Sequence, residues 1–126
     1  MTFFLRYCLS SLVVLAALVV PYQATGQVKV LLDNEQVRIY EATMATGYKT
    51  KEHSHQTDEA TYVFSGGKVK ITLPDGTTKL QELKVGEVLW SSTPETHVAE
   101  NIGDTEIRLL TIELKKPQGQ QPAKEP

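Results

Sequence analysis

Only three histidines occur in the 126-residue chain, and their spacing sets the chemistry available to it. His53 and His55 flank Ser54, so on a strand both imidazoles project to one face. Glu59 follows across Gln56-Thr57-Asp58, where a turn or bulge is expected. On the strand beyond, Glu59, Thr61 and Val63 share one face, and Ala60, Tyr62 and Phe64 the other. His97 stands alone in Thr96-His97-Val98-Ala99, where it begins a further strand with Ala99 and Asn101 on its own face. Two neighbouring imidazoles, a carboxylate and a distant third imidazole make a nitrogen and oxygen ligand set. Such a set suits one divalent ion of iron, manganese, nickel, copper, cobalt or zinc. On an octahedral ion these four ligands leave two positions for water or substrate. A tetrahedral ion would be saturated, so the set fits either an open or a closed centre. Asp58 is the fallback ligand should Glu59 be a solvated charge. A lone histidine is more often a surface or satisfied core group, so His97 carries this reading only as part of the set.

The elements that must position these residues are strands. Val69, Ile71 and Leu73 alternate with Lys68, Lys70 and Thr72. Leu110, Ile112 and Leu114 alternate with Thr111 and Glu113, and Val37 and Ile39 with Arg38 and Tyr40. Alternation of this kind marks strands with one buried face, here the apolar set. Turn chemistry separates the runs: Asp33-Asn34, Gly66-Gly67, Pro74-Asp75-Gly76, Gly86 and Gly103-Asp104. Pro-Asp-Gly between two alternating runs predicts a hairpin. No helical period and no internal repeat follows residue 26. The chain therefore reads as one all-β domain, a sandwich or barrel, and periodicity alone does not choose between them.

Both ends read differently from this domain. Met1 to Arg6 carries one positive charge, Tyr7 to Val20 is almost wholly apolar, and Pro21 closes the run. Ala24-Thr25-Gly26 then offers small residues before a cut between Gly26 and Gln27. The pattern predicts a secretory signal peptide over residues 1–26, and the apolar run is short for a membrane-spanning helix. A periplasmic or secreted location follows, with no membrane attachment after cleavage. The only cysteine, Cys8, leaves with the leader, so disulfides cannot brace the mature domain. Residues 115–126 are rich in Lys, Gln and Pro and are expected to form a disordered tail, leaving residues 27–114 as the domain. The formal net charge of −2 includes no basic stripe, which excludes nucleic acid as a partner.

The spacing of the candidate ligands resembles the cupin superfamily. Gly47, five residues, His53-Ser54-His55, three residues, Glu59, six residues and Gly66 reproduce the first cupin motif at every position. Gly86, ten residues, His97, three residues and Asn101 keep the overall spacing of the second. Inside that second motif Ser92 stands where the family has proline, and Pro94 where it has glycine. Proline fixes φ near −65° where glycine would allow a positive value, so the loop before His97 should take its own shape. The resemblance spans roughly residues 30–114 and is to the small single-domain cupins. It implies a jelly-roll barrel, or double-stranded β-helix, holding one metal ion through His53, His55, Glu59 and His97.

Other residues carry weaker readings. Lys49 and Lys51 share strand parity with His53 and could hold an anionic substrate, or lie past the rim in water. Trp90 and Val88 share a face, read as core packing rather than a ligand wall. Asn101 is read as a turn residue before Ile102-Gly103-Asp104 rather than a partner to a metal-bound imidazole. Tyr62 and Phe64 should point away from the metal into core or subunit contact. Gly47, Gly66 and Gly86 read as turn glycines. With every histidine assigned, no Ser/His/Asp nucleophile set is available, and no phosphate-binding loop is present. The reading is an exported metal-binding cupin taking a small-molecule ligand or substrate. The resemblance implies dioxygenase, isomerase or lyase chemistry together, because the fold hosts many activities, and assigns no catalytic residue. The alternatives are a non-catalytic binder and a structural metal in a self-associating barrel. A homodimer is expected in any case, because an all-β domain without disulfides gains from burial against a second copy.

Overall fold

The computed structural model describes residues 23–92 and 95–115. Residues 1–22 of the leader expected over 1–26, residues 93–94, and residues 116–126 of the tail expected over 115–126 lie outside these. Nine strands and no helix make up the described chain. They are β1 (Gly26–Asp33), β2 (Val37–Met44), β3 (His53–His55), β4 (Glu59–Ser65), β5 (Gly67–Thr72), β6 (Thr78–Leu83), β7 (Val88–Ser91), β8 (Glu95–Asn101) and β9 (Ile107–Leu114). Two antiparallel sheets form, one in the order β1-β2-β9-β4-β7 and the other β3-β8-β5-β6. The Pro74-Asp75-Gly76 turn joins β5 to β6 as expected, with Asp75 Oδ1 accepting from Thr77 N at 2.8 Å. β1 begins at Gly26, so the expected cut falls at the first strand residue. Lys115 is tied down rather than loose, with its N–H donating to Gln36 O and its ammonium paired with Asp33.

The core lies between the sheets. Met44, Val63, Val69, Leu83, Ala99 and Ile107 are buried together, with Tyr48, Ile71, Leu89 and Leu109 packed against them. Gly66 is needed for approach rather than for a turn: a Cβ there would sit 2.1 Å from the Leu83 carbonyl oxygen. Gly47 and Gly86 adopt positive φ of 78° and 82°, the turn role expected of them.

Two strands are the reverse of their expected orientation. Alternation assigned Val37, Ile39, Leu110 and Ile112 to the core. Instead Tyr40 and Thr111 are buried, along with Thr61 of β4, while Ile39, Leu110, Ile112 and Leu114 stand on the opposite face of the sheet. Apolar parity fails here because the interior of this sheet lines a polar cavity. Trp90 departs in the same way. It is 60% exposed and shares its face with Val88, which is 66% exposed, so neither packs in the core. Tyr62 and Phe64 do point away from the histidines, onto that same outer face.

Candidate metal centre

The segment entering β3 runs along β8 before the first ligand appears. Gly47 N donates to Asn101 O, Asn101 N to Tyr48 O, and Thr50 N to Ala99 O at 2.8 Å. Thr50 Oγ1 accepts in turn from Ala99 N. These bonds fix register, and β3 then pairs His53 with His97 and His55 with Glu95. Ser54 and Thr96 share a 2.6 Å hydrogen bond on the outer side. A slip of one residue would turn both β3 histidines outward, so this anchoring is what aims them. β8 starts at Glu95, two residues earlier than expected, and carries His97, Ala99 and Asn101 on one face as the alternation required.

The three imidazoles meet inside the barrel. Ring centroids lie 5.0 Å apart for His53 and His55, 4.6 Å for His53 and His97, and 5.2 Å for His55 and His97. Each offers a ligand nitrogen within 4.8 Å of the others. His53 Nδ1 lies 3.0 Å from the carbonyl oxygen of Lys51. A carbonyl can only accept, so this bond places the proton on Nδ1 and leaves Nε2 with a free lone pair. The unusual proline before His97 lies outside the described residues; Ser92 is exposed, and His97 still reaches the cluster.

Glu59 stands beside this trio rather than at its centre. Its Oε2 is 2.9 Å from His55 Nδ1, and Glu59, His55 and Glu113 form a second group of mutually close ligand atoms. Among the described residues, Glu59 Oε2 and His97 Nδ1 are buried without a hydrogen-bond partner. Glu59 Oε2 nonetheless has an ion-pair contact with His55 Nδ1 at 2.9 Å, so His97 Nδ1 is the buried ligand atom left without a partner. Glu95 Oε1, at 3.7 Å, is too far to satisfy His97 Nδ1. Leaving that atom unmatched would cost roughly 1–3 kcal/mol. A cation at the cluster would match it, so the residues present fit a metal ion. Protonation fits as well. Burial and then the neighbouring His53 and His55 hold His97 below the usual histidine range, which keeps it neutral. The Glu59 carboxylate raises His55 against the opposing effect of burial.

The cavity around the cluster, of about 900 Å³, also reaches Arg38 and Tyr40 of β2. Arg38 Nη1 contacts Glu113 Oε2 at 3.5 Å, and its guanidinium lies 5.2 Å from the centre of the Tyr40 ring. Sequence alternation hid Arg38 and Glu113, because a single charge in an apolar strand reads as a solvent-facing position. Their signal was positional: Glu113 lies directly opposite Glu59, and Arg38 opposite Glu113. Lys49 and Lys51 are both exposed; Lys51 borders the cavity, and Lys49 pairs its backbone with Glu100 of β8. Asn101 makes no side-chain hydrogen bond to a histidine. It is fully buried, with Nδ2 donating to Met44 O and Thr105 O, and Oδ1 accepting from Gly103 N, the turn role expected.

No protein-family model matches the chain, and no curated protein does. Solved structures do. A cupin domain from Bordetella pertussis Tohama I is 25% identical, with a TM-score of 0.69 over 76% of this chain and 99% of that one. An RmlC-like cupin with a double-stranded β-helix fold from Methanocaldococcus jannaschii is 18% identical, with a TM-score of 0.60 over 72% of this chain and 81% of that one. The polyketide cyclase RemF from Streptomyces resistomycificus is 20% identical, with a TM-score of 0.58 over 74% of this chain and 68% of that one. Two antiparallel sheets, with no helix among the described residues, superposing on these barrels, give the chain the cupin jelly-roll fold.

Proposed function

We propose that this protein is an exported cupin that holds one divalent metal ion and acts on a small molecule in the cavity beside it. His53, His55 and His97 would hold the ion, with Glu59 as the fourth ligand. The observation that carries this reading is the convergence of the three imidazoles, with His97 Nδ1 buried and unmatched and the Glu59 carboxylate beside them. When bound, the ion would supply Lewis-acid polarisation or, if redox-active, oxygen chemistry. Around it the chain's own groups have distinct tasks. Lys51 O orients His53, Glu59 takes up the proton or charge of His55, and Arg38 and Tyr40 form a wall that a ligand can touch. The open cavity at the cluster favours an enzyme or ligand binder over a purely structural metal, which would be sealed. Metal analysis after dialysis tests the centre. We expect close to one equivalent of bound ion in the intact protein. His53→Ala and His97→Ala should each lose most of it while Lys49→Ala keeps it. Equal metal content in all four proteins would overturn the assignment.

We propose also that two copies pair through the outer face of the five-stranded sheet. Register places Leu32, Ile39, Ile112, Ala60 and Trp90 in one row across all five strands. The next row is Lys29, Glu41, Leu110, Tyr62 and Val88, so its charges are confined to β1 and β2. A solvated antiparallel face normally carries polar residues at such positions. Three strands of 8 residues, one of 7 and one of 4 give a footprint of roughly 550 Å². A stable interface needs about 500–800 Å² per partner, so a second copy of this face is sufficient. Residues 116–126 hold no apolar side chain bulkier than proline and are poorly suited to cover it.

A further inference from the structure

The cavity is graded from charged to apolar, and the strand registers show it on both walls. On the five-stranded sheet the outermost inward row is Arg38, Glu113 and Glu59. Two residues deeper come the hydroxyls of Tyr40, Thr111 and Thr61, with the two threonines hydrogen-bonded at 3.1 Å. Two residues deeper again are Ala42, Leu109 and Val63. The four-stranded sheet repeats the order. His55 opposite Glu95 and His53 opposite His97 are followed by Ala99 opposite Ile71, and then by Val69 opposite Asn101, with Leu83 in the same cluster. Side-chain exposure of 39% at Arg38 and 42% at Glu95 marks the charged end as the open one.

Resting on the metal-centre reading, we infer that the cavity takes a small amphipathic acid. Its carboxylate or enolate lies against the histidine cluster and Arg38, and its hydrocarbon part lies among Ala42, Leu109, Ile71 and Val69. Charge supports an acidic head. Arg38 makes one long side-chain hydrogen bond among the described residues and keeps most of its five donors for a ligand. Glu59, Glu95 and Glu113 line or border the open end; Lys79 pairs with Glu95 and Arg38 contacts Glu113, and a divalent ion more than offsets Glu59. Lys51 then leaves the mouth with a positive surplus, which is absent without the ion. The middle tier of hydroxyls suits the part of the ligand next to the head. The deep tier has no cationic side chain to reward a second charged end, and the Asn101 amide at that depth is already spent on Met44, Thr105 and Gly103, so a diacid is disfavoured.

Calorimetric titration of the cobalt-loaded protein with acetate, butyrate, hexanoate and hexanol tests this. Affinity is expected to rise from acetate to hexanoate by up to about fourfold per methylene. Hexanoate should bind at least tenfold more tightly than hexanol, and the metal-free protein should lose that preference. Arg38→Gln, at a half-exposed position, should take up cobalt normally yet bring hexanoate and hexanol to within about threefold. Normal cobalt uptake with equal binding of acetate and hexanoate, with no preference for acid over alcohol, or with no binding at all, would overturn the ligand class while leaving the metal centre standing. Failure to take up cobalt would remove the centre itself, and the ligand class with it.

Discussion

Tyr40 shows how the interior of this barrel treats a polar side chain. Its phenol is pushed up to about 12, first by burial and then by the Glu59 and Glu113 carboxylates. A phenol whose folded value exceeds its unfolded value of 10.0 favours the folded state only while both forms are protonated. That stabilisation is complete below pH 10 and is lost as pH rises toward 12. By linkage it amounts to roughly 3 kcal/mol. We expect the urea midpoint to fall steeply across this window, and Tyr40→Phe to flatten the fall. Ultraviolet titration should show one tyrosine ionising late; uniform ionisation near pH 10 would contradict its burial. The same carboxylates that raise Tyr40 also face His55, whose raised value means that an incoming ion must displace a proton there.

At the scale of the elements, β3 is only three residues long and carries two candidate ligands, so its neighbours must hold it in place. Much of that is done from β8, whose last residue, Asn101, joins β2 and the β8–β9 turn through three hydrogen bonds. Asn101→Ala should cost about 3 kcal/mol by chemical denaturation, since it strips partners from buried carbonyls. Metal affinity of the folded variant should change less than threefold, because no histidine depends on Asn101. A large loss of affinity without loss of stability would instead assign it to the centre. The hairpin at Asp75 and the strands around His53, His55, Glu59 and His97 were legible in the sequence, because turn chemistry and fixed spacings survive without knowledge of the sheets. The orientation of β2, β9 and β7 was not. Those strands carry apolar residues at one or both parities, as Leu89 and Trp90 do side by side, and period two cannot say which face is interior. Arg38 and Glu113 went unseen for the same reason: only strand register brings them level with Glu59.

For the whole molecule, the inversion joins two consequences. Polar residues turned inward make a cavity, and apolar residues turned outward make a face that needs covering. Trp90, the one tryptophan of the chain, sits on that face. Its emission should therefore report pairing. We expect a dimer by sedimentation at micromolar concentration, a red shift of Trp90 emission on dilution, and a monomer for Val88→Glu with metal uptake intact. A monomer with solvent-exposed Trp90 at high concentration would contradict pairing. So would a monomer whose Trp90 is shielded only when residues 1–22 are retained. The centre itself is tested most directly by anomalous diffraction from metal-soaked crystals, recorded on both sides of the absorption edge. The expected result is a single strong peak about 2.1 Å from a nitrogen of each of His53, His55 and His97, with a Glu59 oxygen beside it. A peak bound elsewhere, or a His97 ring turned away from the other two, would contradict it.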